Sequence, residues 1–304
     1  MHSIGIFAYE RTPGPPTFAL FMGGDDTVGN YRSSTDKYTF SDMTMAAGSA
    51  LDRARSHGAA AGNGDYGVFA AGLTAGSLPT ATTSKYTYLS GATAASTAIN
   101  AVEGWCGTGS STKGYFGLGH YGGVRVDDVH IYTYATAAVG AGTVLGTDRR
   151  YAGACGTETV GYFGGGQAAA DAPNNTVDKY TYSTDAVTAG TVLGLAREGI
   201  AAMSNSSRGI FAGGYAGSRS DYTDKYTFSG DVVAAATVLT ATVYQKSGAA
   251  RLNQGLFAGG IDASFPSAVT NRYTFATDAV AAGTSLGTAR TLCGATCSLP
   301  GHLS

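Results

Sequence analysis

The sequence predicts an all-β chain folded as a six-bladed β-propeller. Each blade has four antiparallel strands, and the C-terminal strand joins the N-terminal blade to close the ring. Three observations predict this. An aromatic–glycine string recurs six times, a tyrosine string follows it in step, and the two ends of the chain carry complementary pieces of one repeat.

The first string reads FALFMGG (18–24), YGVFAAG (66–72), KGYFGLG (113–119), VGYFGGG (160–166), RGIFAGG (208–214) and QGLFAGG (254–260). Its phenylalanines, from Phe21 to Phe257, are spaced 48, 47, 47, 48 and 46 residues apart. A fixed period of that size is the mark of a stacked or radial repeat, and four short strands fit within it. The second string is DKYTF (36–40), SKYTY (84–88), HIYTY (130–134), DKYTY (178–182), DKYTF (224–228) and NRYTF (271–275). Side chains alternate faces along it, as a sheet between two neighbours requires. A looser third string ends at Leu51, Ile99, Leu145, Leu193, Leu239 and Leu286, and its TVL-type residues read as the fourth strand. Four residues later stand Arg55, Glu103, Arg149, Arg197, Val243 and Arg290, read as starting the innermost strands.

The copies are offset. The chain enters the repeat at FALFMGG with no Arg-initiated strand before it, and ends in ARTLCGATCSLP (289–300) with no aromatic–glycine strand after it. Joining the two completes a sixth blade and covers edges that would otherwise stay open. The predicted organisation is an N-terminal arm over 1–16, one propeller over 17–298 and a tail over 299–304. Blade 1 takes 17–51 plus 290–298, and the others are 52–99, 100–145, 146–193, 194–239 and 240–286. The arm is apolar at Ile4, Ile6, Phe7 and Tyr9 and would dock on its own blade or on a neighbouring subunit.

The glycines belong to this repeat. A phosphate-binding loop needs a helix behind it to supply amide donors. VGYFGGG is followed by QAAADA, which is long enough for one helical turn and absent from the other five copies. The glycines therefore read as positions of positive φ or close approach between blades.

Composition narrows the function classes. Charged residues are 13% and the formal net charge is −2, so no basic footprint marks a nucleic-acid or membrane surface. No apolar run reaches the roughly 20 residues of a membrane span. The first residues lack the basic region and long apolar core of a signal peptide, so synthesis in a cytoplasm is expected. Cys106, Cys155, Cys293 and Cys297 form no CxxC pair and read as small buried thiols.

A blade built from an arginine, a small-residue strand, an aromatic-x-Gly-Gly strand and a tyrosine strand resembles the kelch repeat. The resemblance spans residues 17–298. It lacks the tryptophan usual in a kelch fourth strand, and Trp105, the only tryptophan, falls in an innermost strand. The Gly/Ala/Thr-rich strings are similar to a divergent kelch-like group found in bacteria and tailed bacterial viruses. That resemblance implies a virion component on tail, fibre or capsid, contacting protein subunits or host-surface glycans. The alternatives are a bacterial lectin-like or protein-interaction propeller, located in the cytoplasm or on the cell surface, and a kelch-fold enzyme.

Strand alternation puts the loop between second and third strands on the same rim as the link between blades. Those loops are long and varied, and loops on a rigid scaffold carry binding. The candidate binding residues are Asp25, Asp26, Asn30, Tyr31, Arg32, His120, Tyr121, Arg125, Asp127, Asp128, Asn174, Asn175, Tyr215, Arg219, Tyr222, Asp262 and Phe265. Arg55, Arg149, Arg197 and Arg290 are expected to ring the channel mouth on that rim. No catalytic motif, metal-ligand spacing or cofactor fingerprint stands out. The pairs Asp25–Asp26 and Asp127–Asp128 could bind calcium, though neither follows a known loop spacing.

Overall fold

The computed structural model describes residues 18–26, 30–263 and 266–297, with Cys297 by its backbone alone. The predicted arm and tail and Phe265 lie outside the described residues. Six four-stranded antiparallel sheets are arranged as a propeller. The innermost strands are Gly294–Cys297, Ala59–Gly62, Cys106–Gly109, Gly153–Gly156, Ala201–Ser204 and Ser247–Arg251 for blades 1 to 6. The second strands are Phe18–Met22, Tyr66–Ala70, Lys113–Gly117, Val160–Gly164, Arg208–Ala212 and Gln254–Ala258. The third strands run from Thr35–Thr39 and Thr83–Thr87 through Val129–Thr133, Val177–Thr181 and Thr223–Thr227 to Thr270–Thr274. In blade 1 the C-terminal strand pairs antiparallel with the first described strand, Phe21 opposite Ala295, which closes the ring.

The repeat spells the contacts between blades. The second-strand phenylalanine and the third-strand tyrosine both reach back into the preceding blade. Phe163 and Tyr180 of blade 4 pack with Tyr115, Leu118, Val129 and Leu145 of blade 3. Phe211 and Tyr226 of blade 5 do the same with Tyr162, Val177 and Leu193 of blade 4. Six small cores therefore replace one central core, and fully burying each such ring contributes about 1.5–3 kcal/mol. Small residues let the innermost strands meet: a Cβ on Gly107 would lie 2.6 Å from the Ala60 carbonyl oxygen, and one on Gly248 lies 2.6 Å from that of Ala202.

The outer strands differ from the sequence expectation. They are Thr44–Gly48, Ala92–Ser96, Val139–Gly142, Ala186–Ala189, Val232–Ala235 and Ala279–Ala282, and the TVL segments follow them as links. The reason is packing: Leu145 and Leu193 turn inward to seal two adjacent blades, which an extended edge strand would not allow. The innermost strands likewise begin four residues after each arginine, not at it, and Trp105 precedes its strand. In the VGYFGGG copy, Gly165 and Gly166 have φ of +67° and +106°, and a Cβ on Gly166 would lie 2.8 Å from the Arg150 carbonyl oxygen. The turn behind it is a single 3-10 turn, Ala169–Asp171. Among the described residues no helix is long and apolar enough to cross a membrane.

Candidate ligand-binding rim

The links between blades build the floor of the rim. His57, Gly104, Tyr151, Gly199, Gln245 and Leu292 stand at equivalent places, two residues before each innermost strand, and all have positive φ between 52° and 65°. Their backbones form a closed circle of hydrogen bonds. Each amide donates to the carbonyl of the preceding member: Gly104 to His57 at 2.9 Å, Tyr151 to Gly104 at 2.9 Å, Gly199 to Tyr151 at 2.8 Å and Gln245 to Gly199 at 2.7 Å. Leu292 to Gln245 at 3.2 Å and His57 to Leu292 at 3.1 Å complete it. Four of the six are not glycine, so the left-handed backbone costs about 1 kcal/mol or more at each and persists because the circle over-determines it. A cavity of about 70 Å³ opens here, lined by His57, Tyr151, Gln245 and Lys246 among others.

One residue earlier, the chain raises a wall around this floor: Ser56, Glu103, Arg150, Glu198, Tyr244 and Thr291. Each is locked by a two-residue antiparallel bridge to the start of its blade's long loop, at Leu73, His120, Gln167, Tyr215, Ile261 and Asp25 respectively. Glu198 N donates to Tyr215 O at 3.1 Å, and Tyr215 N returns a bond to Glu198 O at 2.8 Å. Six identical backbone arrangements thus carry dissimilar side chains.

Polar groups concentrate on blades 3 to 6 of this wall. Glu103 Oε1 lies 3.0 Å from His120 Nδ1 and 4.0 Å from the Arg150 guanidinium. Arg150 Nε donates to Gln167 Oε1 at 2.7 Å, and its guanidinium lies 4.9 Å over the Tyr151 ring. Tyr215 and Tyr244 stand 5.8 Å apart, centroid to centroid. Burial raises the Glu198 carboxyl, against the pull of Arg150, and pushes the Tyr151 phenol up to about 12. His57 is held down at about 4, first by burial and then by Arg150, so it stays neutral at ordinary pH. Its Nδ1 lies 2.7 Å from Ser56 Oγ, but Ser56 is buried and so does not face the rim.

Apart from Tyr121, the described loop residues expected to bind divide into three groups. His120, Arg125, Tyr215 and Arg219 converge on the polar sector of the mouth. Arg125 reaches from blade 3 to blade 4, donating to Gln167 O at 3.1 Å and pairing with Asp171. Arg219 is exposed and acts electrostatically on Tyr244. Asp26, Asn30, Tyr31 and Arg32 lie in blade 1: Asp26 pairs with Arg32 and accepts from Asn30, and Tyr31 Oη meets Ser77 Oγ of blade 2 at 3.0 Å. Tyr121 stands exposed at a hairpin tip.

The third group holds the fold. Asn174 Oδ1 accepts from Thr176 N at 2.6 Å, and Asn175 Nδ2 donates to Leu193 O at 3.0 Å, pinning the link. The carbonyls of Asp127 and Asp128 accept from Leu145 and Leu118. Asp25 is buried at the bridge to Thr291, Tyr222 lies 5.1 Å from the Arg197 guanidinium, and Asp262 is half-buried within electrostatic reach of Lys246. Among the described residues no three His, Cys, Asp or Glu side chains group as metal ligands would.

The four arginines expected at the channel mouth are instead buried inside the blades. Arg149, Arg197 and Arg290 have no measurable exposure and Arg55 has 3%. Their guanidiniums turn away from the axis to the second and third strands. Arg149 reaches Phe163 O and Asp178, Arg197 reaches Phe211 O and Asp224, and Arg290 reaches Gly23 O and Asp36. Arg55 bonds Phe69 O and Ser84. The equivalent residue in blade 3 is Val102, two before Gly104 as each arginine is two before its floor residue. Glu103 therefore belongs to the wall. Loop length and composition gave no signal for Glu103, Arg150, Glu198 or Tyr244.

Compared with models of known protein families and with characterised proteins, the chain returns no match.

Proposed function

We propose that this chain is a non-enzymatic, kelch-like binding propeller, a virion component of a tailed bacterial virus on tail, fibre or capsid. It engages neighbouring subunits or host-surface glycans through the long-loop rim. The observation that carries the reading is the contrast between the packing positions between blades and the wall. Six positions with one backbone geometry hold Ser56, Glu103, Arg150, Glu198, Tyr244 and Thr291, whereas the phenylalanines and tyrosines between blades barely change. Packing positions are uniform and the wall is diversified, with Glu103, Arg150, Glu198 and Tyr244 half-buried at the rim, as a recognition surface on a rigid scaffold requires. Tyrosine and arginine are also the residues that dominate recognition surfaces. The low net charge gives the surface no general pull on nucleic acid or anionic membrane, which favours a partner read by contact.

Two measurements test this reading. Mass spectrometry of purified virus particles should find the chain among their structural proteins, and a glycan array should find a ligand whose binding falls when the wall is altered. Absence from the particles sinks the virion role. Absence of both particle association and glycan binding sinks the reading as a whole.

A further inference from the structure

Building on that rim reading, we propose that the sector framed by Arg150, Tyr151, Glu198, Tyr215 and Tyr244 binds a neutral pyranose, gripping a vicinal pair of hydroxyls. Glu198 provides the first argument. Its Oε2 is buried and has no hydrogen-bond partner in the protein. A buried acceptor without a donor is uncommon in a folded chain. Glu198 as a whole is only half-buried, so turning its carboxylate toward the rim lets a ligand hydroxyl supply that donor.

Arg150 supplies the complementary half. Its Nε is committed to Gln167, while Nη1 and Nη2 lie 4.0 Å from Glu103 and 3.8 Å from Asp171, beyond hydrogen-bond range. The guanidinium lies 4.9 Å over the Tyr151 ring and is tethered through Nε to Gln167, which limits how far its outer donors can wander. A carboxylate that accepts beside a guanidinium that donates matches two adjacent hydroxyls, each of which can do both. Tyr215 and Tyr244 stand beside Glu198, linked to it electrostatically and by the wall bridge, and offer ring faces for the apolar C–H side of a sugar.

Charge selects neutral over ionic ligands. Glu103, Asp171 and Glu198 are balanced in this sector by Arg125, Arg150 and Arg219. With the two signs cancelling, neither a sialic or uronic acid nor an ammonium gains net attraction there that would offset the loss of its hydration. The backbone under the ligand is already fixed by the circle and the bridges, so little ordering opposes binding.

The test is saturation-transfer NMR on the full chain with methyl glucoside, methyl galactoside and methyl mannoside, with glucuronate, sialic acid and glucosamine as charged comparators. At least one neutral glycoside should bind, and Glu198→Ala and Tyr244→Ala substitutions should each weaken it roughly tenfold. Circular dichroism identifies any variant that fails to fold, and Asp65→Ala, exposed in the turn between the first and second strands of blade 2 on the opposite rim, should leave binding unchanged. Neutral-sugar binding that survives Glu198→Ala and Tyr244→Ala overturns this placement while leaving rim recognition standing. Preference for a charged comparator overturns the ligand class. Binding of none of the six overturns the pyranose proposal, and the rim reading is then decided by the particle measurement alone.

Discussion

Arg197 and Asp224 form an ion pair that is inaccessible on both sides, Nη1 to Oδ2 at 2.9 Å. Asp224 also accepts from the Gly194 amide at 3.0 Å, so one carboxylate ties the link from blade 4 to the third strand of blade 5. Burial raises the carboxyl and lowers the guanidinium, each against its partner's pull. A pair so placed contributes little net stability but is costly to break. The chain contains the alternative, since Val243 and Asn271 occupy these positions in blade 6.

Replacing Arg197 alone with Val should therefore destabilise the protein by about 3–5 kcal/mol, because Asp224 stays buried without its cation. The double variant Arg197→Val with Asp224→Asn reproduces blade 6 and should recover most of that loss. Urea denaturation of the three proteins checks it. A double variant as unstable as the single one would show that the aspartate's charge was not the source of the cost.

The closing blade has an opposite defect. In blades 5 and 6 the repeat tyrosine bonds an aspartate five residues on: Tyr226 to Asp231, and Tyr273 to Asp278 at 2.6 Å. The lysine of the preceding blade pairs with the same aspartate, Lys179 with Asp231 and Lys225 with Asp278. In blade 1 that position is Met43. Arg272 reaches only its sulfur, and the Tyr38 hydroxyl is buried without a partner. Met43 has φ of +58°, which aspartate tolerates better than methionine. Met43→Asp should stabilise the ring by about 1 kcal/mol, mainly by satisfying Tyr38, since the partly exposed Arg272 pair adds little. An unchanged or lower denaturation midpoint would contradict it.

What was legible in the sequence follows from this division of labour. Phe21 and its five counterparts, and Tyr38 and its counterparts, solve one packing problem six times, so the repeat and the ring closure could be read from spacing. The TVL strings misled because a β-branched run reads as a strand, whereas their leucines are bent inward to plug blades. Counting four residues from Ile99 reached Glu103, but that link is one residue shorter, and Val102 takes the arginine's place. The wall could not be read at all. Its residues share a backbone position and no chemistry, so no pattern marks them until the floor circle locates them.

The floor makes stability depend on acidity. His57 titrates at about 4 in the folded chain and near 6.5 when unfolded, because burial disfavours its charged form. The unfolded chain therefore binds more protons between those values. The contribution from neutral His57 is complete above about pH 6.5 and is lost as pH falls toward 4. His57→Asn keeps a side chain suited to φ of +58° and removes the titration. The native protein should lose roughly 1–2 kcal/mol more than this variant between pH 7 and pH 4.5, after allowance for the ring's partial exposure. Parallel slopes of stability against pH would exclude His57 as the source.

Ring closure can be tested directly by deleting the residues after Thr288. The deletion removes Arg290, whose guanidinium donates to Gly23 O at 2.9 Å and Ser34 O at 2.8 Å and pairs with Asp36 at 2.7 Å. It also removes the strand Gly294–Cys297, which is both the inner strand of blade 1 and the neighbour of inner strands in blades 2 and 6. Leu292 leaves with them, opening the backbone circle at two of its six bonds. Phe18–Met22, buried along its whole length, would become an exposed apolar edge. Because each interblade core needs the blade on its other side, the loss should spread around the ring. The truncated chain should lose its cooperative thermal transition or melt far below the full chain, with all probes shifted together. A midpoint equal to that of the full chain would show that blades 2 to 6 stand without closure.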